Sequence, residues 1–269
     1  MYEAYWGLRE KPFENVPDPR FLYLPESCRE VYTRLLYALQ GRRGALMLTG
    51  PSGCGKTLVA RALLQELDPG TTEVALLTNP PWTREDFLRE ALYQLGGDGP
   101  LSCRAEVLHR LHEILYENHA TGKETVVLID EAQLIEDQEV LEEVRLLLNF
   151  QLNDAFLLTV LLVGQPAMAQ RISRWSPLDQ RIAARGAVRA LAGPEVAEYI
   201  DHRLRTAGRR EPIFTLEAAS LIGEHCAGVP RRINNTCDIA LVVGYSRKTQ
   251  QLDADWVRRF LQAENGSGG

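Results

Sequence analysis

The residues best suited to chemistry form a glycine-rich loop that ends in a lysine and a threonine. In order, they are Gly50, Pro51, Ser52, Gly53, Cys54, Gly55, Lys56 and Thr57. An apolar run precedes them and a stretch of helical period follows, so backbone N–H groups can surround a phosphate chain at a helix N-terminus. This spacing predicts that Lys56 reaches the β- and γ-phosphates of ATP and that Thr57 is a ligand of Mg²⁺. The alternative is an ordinary glycine turn.

Two consecutive carboxylates follow a second apolar run, in the sequence VVLIDEAQ of residues 126–133. The apolar residues predict a buried strand, and Asp130 is expected at its tip, directed toward Mg²⁺. Glu131 is then placed to orient and polarise the water that attacks the γ-phosphate. The alternative is that both residues only begin a solvated loop, which explains their charges but not their position directly after a strand.

Two further polar residues are predicted to act at the γ-phosphate. Gln165 follows the apolar run TVLLVG, where its amide could hold the attacking water, although it could also simply end the strand. Arg231 follows Gly228-Val229-Pro230, and this proline fixes the entry into a helix. Arg231 is therefore expected to contact the γ-phosphate and to couple the nucleotide state to the position of a helical lid. A purely structural role for Arg231 is the alternative.

Arg181 and Arg185 are candidates for a cation supplied to a neighbouring subunit. They lie four residues apart in PLDQRIAARGAVRAL, so on a helix they would point in the same direction. A cationic side chain supplied across a subunit boundary neutralises charge in phosphoryl transfer. Exposed arginines on a solvated surface are the alternative.

The stretch between residues 45 and 192 alternates apolar runs with amphipathic segments. The apolar runs predict strands at residues 45–50, 73–79, 125–130 and 156–164, with residues 188–191 as a candidate fifth strand. The segments between them predict helices at residues 57–67, 84–95, 105–119 and 139–152. This βα alternation indicates an α/β fold of the P-loop NTPase type, with a three-layer parallel sheet.

Only helical patterns follow residue 192, which predicts a small helical domain. Thr215 is expected to be a single N-cap, and Pro194 and Pro230 lie where the first turn of a helix accepts proline. The predicted organisation is an N-terminal segment of the nucleotide pocket at residues 1–43, an α/β core at 44–192, a helical lid at 193–264 and a flexible tail at 265–269.

Composition narrows the class of protein. The chain has 269 residues, 45% of them hydrophobic and 25% charged, which is the mix of a globular domain. Its net charge of -6 argues against a protein that coats nucleic acid non-specifically. The charge is uneven, because residues 1–170 carry a net -10 and residues 171–269 a net +4, mostly as arginine. Either a phosphate- or partner-binding surface or a general preference for arginine over lysine explains this enrichment.

No apolar run reaches the length of a transmembrane span, and the N-terminus lacks a signal-peptide pattern. We therefore expect a cytoplasmic protein. The five cysteines are scattered and odd in number, without the spacing of a zinc site. We interpret them as free thiols that mostly fill the core.

The segments GPSGCGKT, LIDEAQ, VGQP, QRIAAR and GVPRRIN, taken in this order, resemble the AAA+ ATPases. The stretch from Tyr5 to Leu39 resembles the ATPase domain of the general secretion pathway protein A family, and the likeness spans about residues 5–263. It implies ATP and Mg²⁺ as ligands, and a homo-oligomer in which each site is completed by a neighbour. It also implies that Phe13 and Tyr23 help to form the adenine side of the pocket. The alternative is that these aromatic residues only pack the N-terminal segment onto the core.

These observations together predict an Mg²⁺-dependent ATPase of the AAA+ type with a C-terminal helical lid. The resemblance implies that ATP turnover is coupled to remodelling of the oligomer and of a membrane-assembly protein. Through such a partner the chain would lie at the periphery of the inner membrane. The alternative is a DNA-linked regulatory ATPase that resembles those associated with transposition, in which the basic C-terminal third contacts DNA.

Overall fold

The computed structural model describes residues 1–78, 82–97, 99 and 103–266. The α-helices are α1 (Glu3–Trp6), α2 (Glu26–Gln40), α3 (Lys56–Gln65), α4 (Arg84–Gln94), α5 (Arg104–Ala120), α6 (Gln138–Leu147), α7 (Pro166–Ser173), α8 (Ser176–Asp179), α9 (Pro194–Thr206), α10 (Leu216–His225), α11 (Pro230–Ser246) and α12 (Ala254–Gly266). The strands are β1 (Ala45–Thr49), β2 (Thr72–Leu77), β3 (Glu124–Ile129), β4 (Thr159–Gly164) and β5 (Ile182–Ala187). Short 3-10 helices form at Pro19–Phe21 and Ala132–Leu134.

The chain divides into two compact units. One, the sheet unit, comprises Glu26–Pro51 and Val59–Val188. The other, the helical unit, comprises Met1–Pro25, Ser52–Leu58 and Arg189–Gly269. Much of the glycine-rich loop is thus grouped with the helical unit, although the loop begins at the end of β1.

The sheet unit is built on a five-stranded sheet in which all neighbouring strands pair in parallel, in the order β2-β3-β4-β1-β5. Every residue of β1 is buried. Because successive side chains of a strand point to opposite faces, both faces must be covered. Met47 and Leu162 join a core on one face with Phe87 of α4, while Leu35 of α2 lies against Gly186 of β5. The predicted three-layer α/β fold is confirmed.

The strand order brings the loops with chemically active residues to one edge. Parallel strands end at the same edge of a sheet, and β4 lies between β3 and β1. The chain therefore leaves three adjacent strands at Gly50, at Asp130 and at Gln165. In sheets of this type, ligands bind beyond this carboxyl edge.

The helical unit packs α9 to α12 and the N-terminal residues around one core, which includes Trp6, Ile222 and Leu241. The Trp6 indole Nε1 donates a hydrogen bond to the carbonyl oxygen of Leu241 over 3.0 Å. Thr215 accepts a hydrogen bond from the backbone N–H of Ala218 over 3.2 Å, which confirms it as the N-cap of α10. Pro194 and Pro230 begin α9 and α11, as predicted.

A buried arginine ties the first 25 residues to α9. Arg203 donates hydrogen bonds from Nε to the carbonyl oxygen of Pro12 and from Nη2 to that of Glu14, the latter over 2.9 Å. Its guanidinium also lies 4.8 Å from the centroid of the Phe21 ring. Such planar, multivalent contacts suit arginine rather than lysine. They explain why residues 1–25 group with the helical unit and not with residues 26–43.

The prediction of a fifth strand at residues 188–191 is wrong. The fifth strand is β5, which begins at Ile182, six residues before the predicted start, and pairs with β1. The pairing ends where the N–H of Val188 donates to the carbonyl oxygen of Thr49 over 2.8 Å. The sequence of β5, IAARGA, has alternately buried and exposed residues, but the buried residues of this edge strand are small. Its weak apolar pattern therefore resembled a loop or a helix.

The other differences concern the ends of elements. The helix predicted at residues 139–152 stops at Leu147, and β4 begins at Thr159 instead of residue 156. Between them, Gln151 and Phe156 form an isolated antiparallel bridge, so the chain turns back on itself there. The strand predicted at residues 73–79 ends at Leu77, and its last position, residue 79, lies outside the described residues. Helix α12 continues to Gly266, and the remainder of the predicted tail lies outside the described residues as well.

Candidate nucleotide-binding site

Gly50 begins the phosphate loop at a point of close backbone contact. Its N–H donates to the carbonyl oxygen of Gly164 over 3.2 Å, which joins the ends of β1 and β4. A Cβ at position 50 would lie 2.5 Å from Cγ2 and 2.6 Å from the carbonyl oxygen of Val188. No side chain fits there without movement of the backbone, so the first glycine of the motif is required by packing.

Two further glycines of the loop have left-handed backbone. Gly53 and Gly55 have φ angles of +76° and +85°, a region that glycine occupies at low cost. The loop runs directly into α3, whose first residue is Lys56. Lys56 is only 5% exposed. It lies at the N-terminus of α3, a position where phosphate groups are bound in proteins.

Cys54 lies within this loop and is buried. Burial raises the pKa of its thiol, and the nearby Lys56 opposes this effect only in part. The thiol is therefore neutral at physiological pH. Cys28, Cys226 and Cys237 are buried as well, as core-filling cysteines should be, whereas Cys103 is exposed.

The predicted carboxylates lie at the end of β3. Asp130 is 6% exposed, and its Oδ1 accepts a hydrogen bond from the backbone N–H of Glu131 over 2.8 Å. The N–H of Asp130 in turn donates to the carbonyl oxygen of Leu77, at the end of β2, over 2.9 Å. Glu131 has φ 53° and ψ 34°, a left-handed conformation that is uncommon outside glycine. Strained backbone of this kind is concentrated at functional sites.

Gln133, which sequence reasoning did not select, links the ends of β3 and β4. Its Nε2 donates a hydrogen bond to Oε2 of Glu131. Its Oε1 accepts one from the backbone N–H of Gln165 over 2.9 Å. The signal in the sequence was present, because Gln133 is the last residue of the LIDEAQ segment, but only the acidic residues of that segment were assigned roles.

Gln165 follows Gly164 directly and precedes α7, whose first residue is Pro166. It lies at the N-cap position, with extended backbone and no capping hydrogen bond from its own side chain. The residue ends the strand, and it lies at the carboxyl edge of the sheet. The role of its amide in holding water stays a prediction.

Arg181 and Arg185 do not share a helix, so the expectation that they point in the same direction on one helix is wrong. Arg185 lies within β5, and its Nη2 donates to Oδ1 of Asp179 over 2.8 Å. Arg181 precedes the strand and donates from Nη2 to Oδ1 of Asn149 over 2.7 Å and from Nη1 to the carbonyl oxygen of Leu148. Each arginine thus has partners within the sheet unit.

Arg231 lies beside the phosphate loop within the helical unit. Its backbone N–H donates to the carbonyl oxygen of Gly53 over 3.1 Å, and a Cβ on Gly53 would lie 3.1 Å from Cβ of Arg231. The side chain is exposed, at the start of α11. Neighbouring Arg232 instead donates to the carbonyl oxygen of His225.

Phe13 and Tyr23 both pack within the helical unit. Phe13 is 2% exposed and its ring makes an edge contact with Phe214. The ring of Tyr23 makes an edge contact with the ring of Tyr199, and its hydroxyl donates a hydrogen bond to the carboxylate of Glu198. Burial raises the pKa of Tyr199, so this neighbouring hydroxyl stays protonated. Both aromatic residues therefore pack within the helical unit, and their place at the adenine side of the pocket stays a prediction.

Comparison with known proteins accords with this geometry. A family model described as an AAA domain matches residues 39–172. This stretch covers β1 to β4 and the loops with the lysine, the two carboxylates and Gln165. The chain carries an AAA+ ATPase domain.

The AAA+ chain is 38% identical over 256 residues to General secretion pathway protein A of Aeromonas hydrophila. The alignment covers 94% of this chain and 46% of that protein, so the chain spans about half the length of this relative. Membership of the AAA+ class implies nucleotide binding and ATP hydrolysis. None of the helices in the described part of the chain is long and apolar enough to cross a membrane.

Solved structures of other proteins have the same fold. The ORC2 protein of Aeropyrum pernix, in its ADPNP-ADP complexes, superimposes with a TM-score of 0.67 at 18% identity, covering 93% of this chain and 70% of that one. The ORC1 protein of the same organism, in complex with DNA, gives a TM-score of 0.65 at 17% identity, covering 96% and 69% of the two chains. At these identities, the likeness is one of fold.

Proposed function

We propose that this chain is an Mg²⁺-dependent ATPase related to General secretion pathway protein A, and that it acts as an oligomer on a partner at the inner membrane. The observation that carries the proposal is the carboxyl edge of the sheet. There Gly50, the Asp130-Glu131 pair and Gln165 follow three adjacent strands, and Gly50 continues directly into a loop that ends in a buried lysine.

The residues of the loop and of the sheet edge fit ATP with Mg²⁺. Backbone N–H groups of the loop bind the phosphate chain, and Lys56 matches the charge of the β- and γ-phosphates. The hydroxyl of Thr57 and the carboxylate of Asp130 are the oxygen donors that Mg²⁺ prefers. When bound, Mg²⁺ neutralises charge on the phosphate oxygens.

Glu131 and Gln165 act on the water in this proposal. The carboxylate of Glu131 accepts a proton from the attacking water, which raises the nucleophilicity of the oxygen. The amide of Gln165 holds that water against the γ-phosphate. Arg231, next to the loop, contacts the γ-phosphate and changes its contact when the phosphate leaves. Arg231 belongs to α11, so this change would be passed to the proposed lid. Phe13 and Tyr23 are proposed to border the adenine side of the pocket.

Removal of Mg²⁺ should stop turnover. Excess chelator is expected to reduce phosphate release to background, because Thr57 and Asp130 then have no metal to hold against the phosphates. Added Mg²⁺ should restore it. Asp130→Asn should need a higher Mg²⁺ concentration for half-maximal release, which identifies this chain as the source of the activity. Release that persists in chelator, or an unchanged Mg²⁺ requirement in Asp130→Asn, would contradict the assignment of these ligands.

Arg185 is the better candidate for a cation supplied to a neighbouring subunit. It is exposed on β5, a strand at the end of the sheet, and its ion pair with Asp179 is a surface pair. Surface pairs contribute only about 0 to 1 kcal/mol, so Arg185 can exchange this partner for a phosphate at little cost. Both arginines also donate to a backbone carbonyl, Arg185 to that of Asp179 and Arg181 to that of Leu148, but Arg181 is only partly exposed.

Mixing two inactive variants tests the shared site. Arg185→Ala subunits retain the phosphate loop, and Glu131→Gln subunits retain the arginine, so a mixed interface can be complete although each variant alone is nearly inactive. We expect phosphate release to recover in part on mixing, and the specific activity of the unmodified protein to rise with its concentration. The same mixture made with Arg181→Ala is the matched comparison. Activity that is independent of concentration, with no recovery in either mixture, would show that the arginines act within one subunit or not at all.

The proposed partner is a membrane-assembly protein, because the relative with 38% identity is named for the general secretion pathway. The work of the chain would then be to convert ATP turnover into rearrangement of its own oligomer and of that partner. The cytoplasmic side of the inner membrane is the place where ATP and such a partner meet. A DNA-linked role is the weaker proposal, because the likeness to a DNA-bound protein is one of fold at 17% identity.

A further inference from the structure

Gln133 connects the two residues assigned to the attacking water. Its amide nitrogen donates to the carboxylate of Glu131, and its amide oxygen accepts from the backbone N–H of Gln165 over 2.9 Å. The side chain thus spans the gap between the end of β3 and the end of β4. Glu131 and Gln165 both belong to the proposed machinery, whereas Gln133 has so far been given no role in it.

The orientation of this amide is fixed by chemistry. A backbone N–H can only donate, so the atom that faces Gln165 must be the oxygen of Gln133. The amide nitrogen then faces Glu131, whose carboxylate accepts the hydrogen bond. A glutamate at position 133 could serve Gln165 but would present a second carboxylate to Glu131. An alanine could serve neither.

The surrounding backbone is shaped to admit this side chain. A Cβ at position 164 would lie 2.9 Å from Oε1 of Gln133 and 2.9 Å from Sδ of Met168, so the glycine at the end of β4 leaves room for both side chains. Arg171 of α7 donates to the carbonyl oxygens of Gln133 and Ile135. The connection after β3 is therefore tied to the β4-α7 element at more than one point.

We propose that Gln133 is a positioning residue, which holds the carboxylate of Glu131 at a fixed position relative to the end of β4. The inference rests on the proposed function, in which Glu131 accepts a proton from water. A glutamate side chain has several rotamers, and at position 131 it stands on backbone of φ 53°. The hydrogen bond from Gln133 favours one orientation of the Glu131 carboxylate. Because Gln133 is also bonded to Gln165, this orientation is fixed relative to Gln165, which holds the same water in the proposed mechanism.

A misplacement of about 1 Å in a reacting group can cost about 100-fold in rate, so loss of Gln133 should be seen in kcat. We expect Gln133→Ala to lower kcat by about 10- to 100-fold and to leave the affinity for ATP unchanged within about twofold, because the residue is assigned no contact with the nucleotide. Gln133→Glu should lose at least as much, since it keeps the bond to Gln165 and replaces the donor by a repelling carboxylate. Gln170→Ala, an exposed glutamine on α7 in the same unit, is the matched control and should keep the unmodified kcat.

A double variant separates positioning from a merely structural role. If Gln133 acts through Glu131, then adding Gln133→Ala to Glu131→Gln should cause no further loss of kcat, because the carboxylate is already absent. A structural defect would add its own loss in both backgrounds. Single-turnover rates and ATP affinity should be measured for all four proteins, together with thermal melting to confirm that they fold.

The outcomes distinguish this inference from the function on which it rests. If Glu131→Gln loses turnover while Gln133→Ala and Gln133→Glu keep it, the positioning role is overturned and the ATPase proposal stands. Losses that multiply in the double variant would overturn the positioning role too. Unchanged turnover in Glu131→Gln would instead remove the proposed function itself.

Discussion

Replacing Lys56 with alanine should abolish ATP binding. Lys56 is the only cationic side chain among residues 50–57, and it is buried at the start of α3. Hydrogen bonds to charged groups contribute about 1.5 to 3 kcal/mol each, and the lysine meets two phosphates. Loss of these contacts corresponds to a decrease in affinity of at least about 100-fold. Isothermal titration of the variant with ATP and Mg²⁺ would measure it.

Lys123→Ala provides the control for this experiment. Lys123 forms an ion pair with Glu73 over 2.5 Å on the surface of the sheet unit, so its removal alters the net charge equally without touching the phosphate loop. Its affinity for ATP should match that of the unmodified protein. Equal affinities of all three proteins would show that the loop does not bind the phosphates.

Replacing Glu131 with glutamine should have the opposite pattern, with turnover lost and binding kept. Glutamine retains the shape of the side chain but cannot accept a proton from water, so kcat should fall by roughly 100-fold or more. The affinity for ATP should be preserved, because Lys56, Thr57 and Asp130 are unchanged. Phosphate release under saturating ATP gives kcat, and titration gives the affinity.

Glu136→Gln is the matched control for the carboxylate. Glu136 is exposed in the same connection between β3 and α6, and the substitution removes the same charge. Its kcat should stay close to the unmodified value. A loss of equal size in both variants would assign the effect to charge in this connection instead of proton transfer by Glu131.

Residues of the proposed site could be predicted from the sequence when a polar or charged residue of the right type comes after an apolar run. Asp130 and Gln165 directly follow apolar strands, and the loop that leads to Lys56 follows another; such strands are visible in a single sequence. The β5 strand was missed because its buried residues, Ala184 and Gly186, are small and the run contains Arg185. It is a strand because β1 and α2 lie against it, and that information is not local.

Contacts between distant parts of the chain account for the other omissions. Gln133 is recognised only when β3 and β4 are known to be neighbours, since its two partners lie on different strands. The grouping of residues 1–25 with the helical unit depends on Arg203, nearly two hundred residues away from Pro12 in sequence. Patterns along the chain indicate elements, but tertiary contacts decide which elements share a core.

The nucleotide that stays bound to the protein shows directly whether Lys56 binds ATP and whether Glu131 hydrolyses it. The unmodified protein, Glu131→Gln and Lys56→Ala would each be incubated with ATP and Mg²⁺, freed of unbound nucleotide by gel filtration, and denatured for chromatography of what they carry. We expect ADP on the unmodified protein, ATP on Glu131→Gln and no nucleotide on Lys56→Ala. ADP on Glu131→Gln in the same amount as on the unmodified protein, or ATP retained by Lys56→Ala, would contradict these roles.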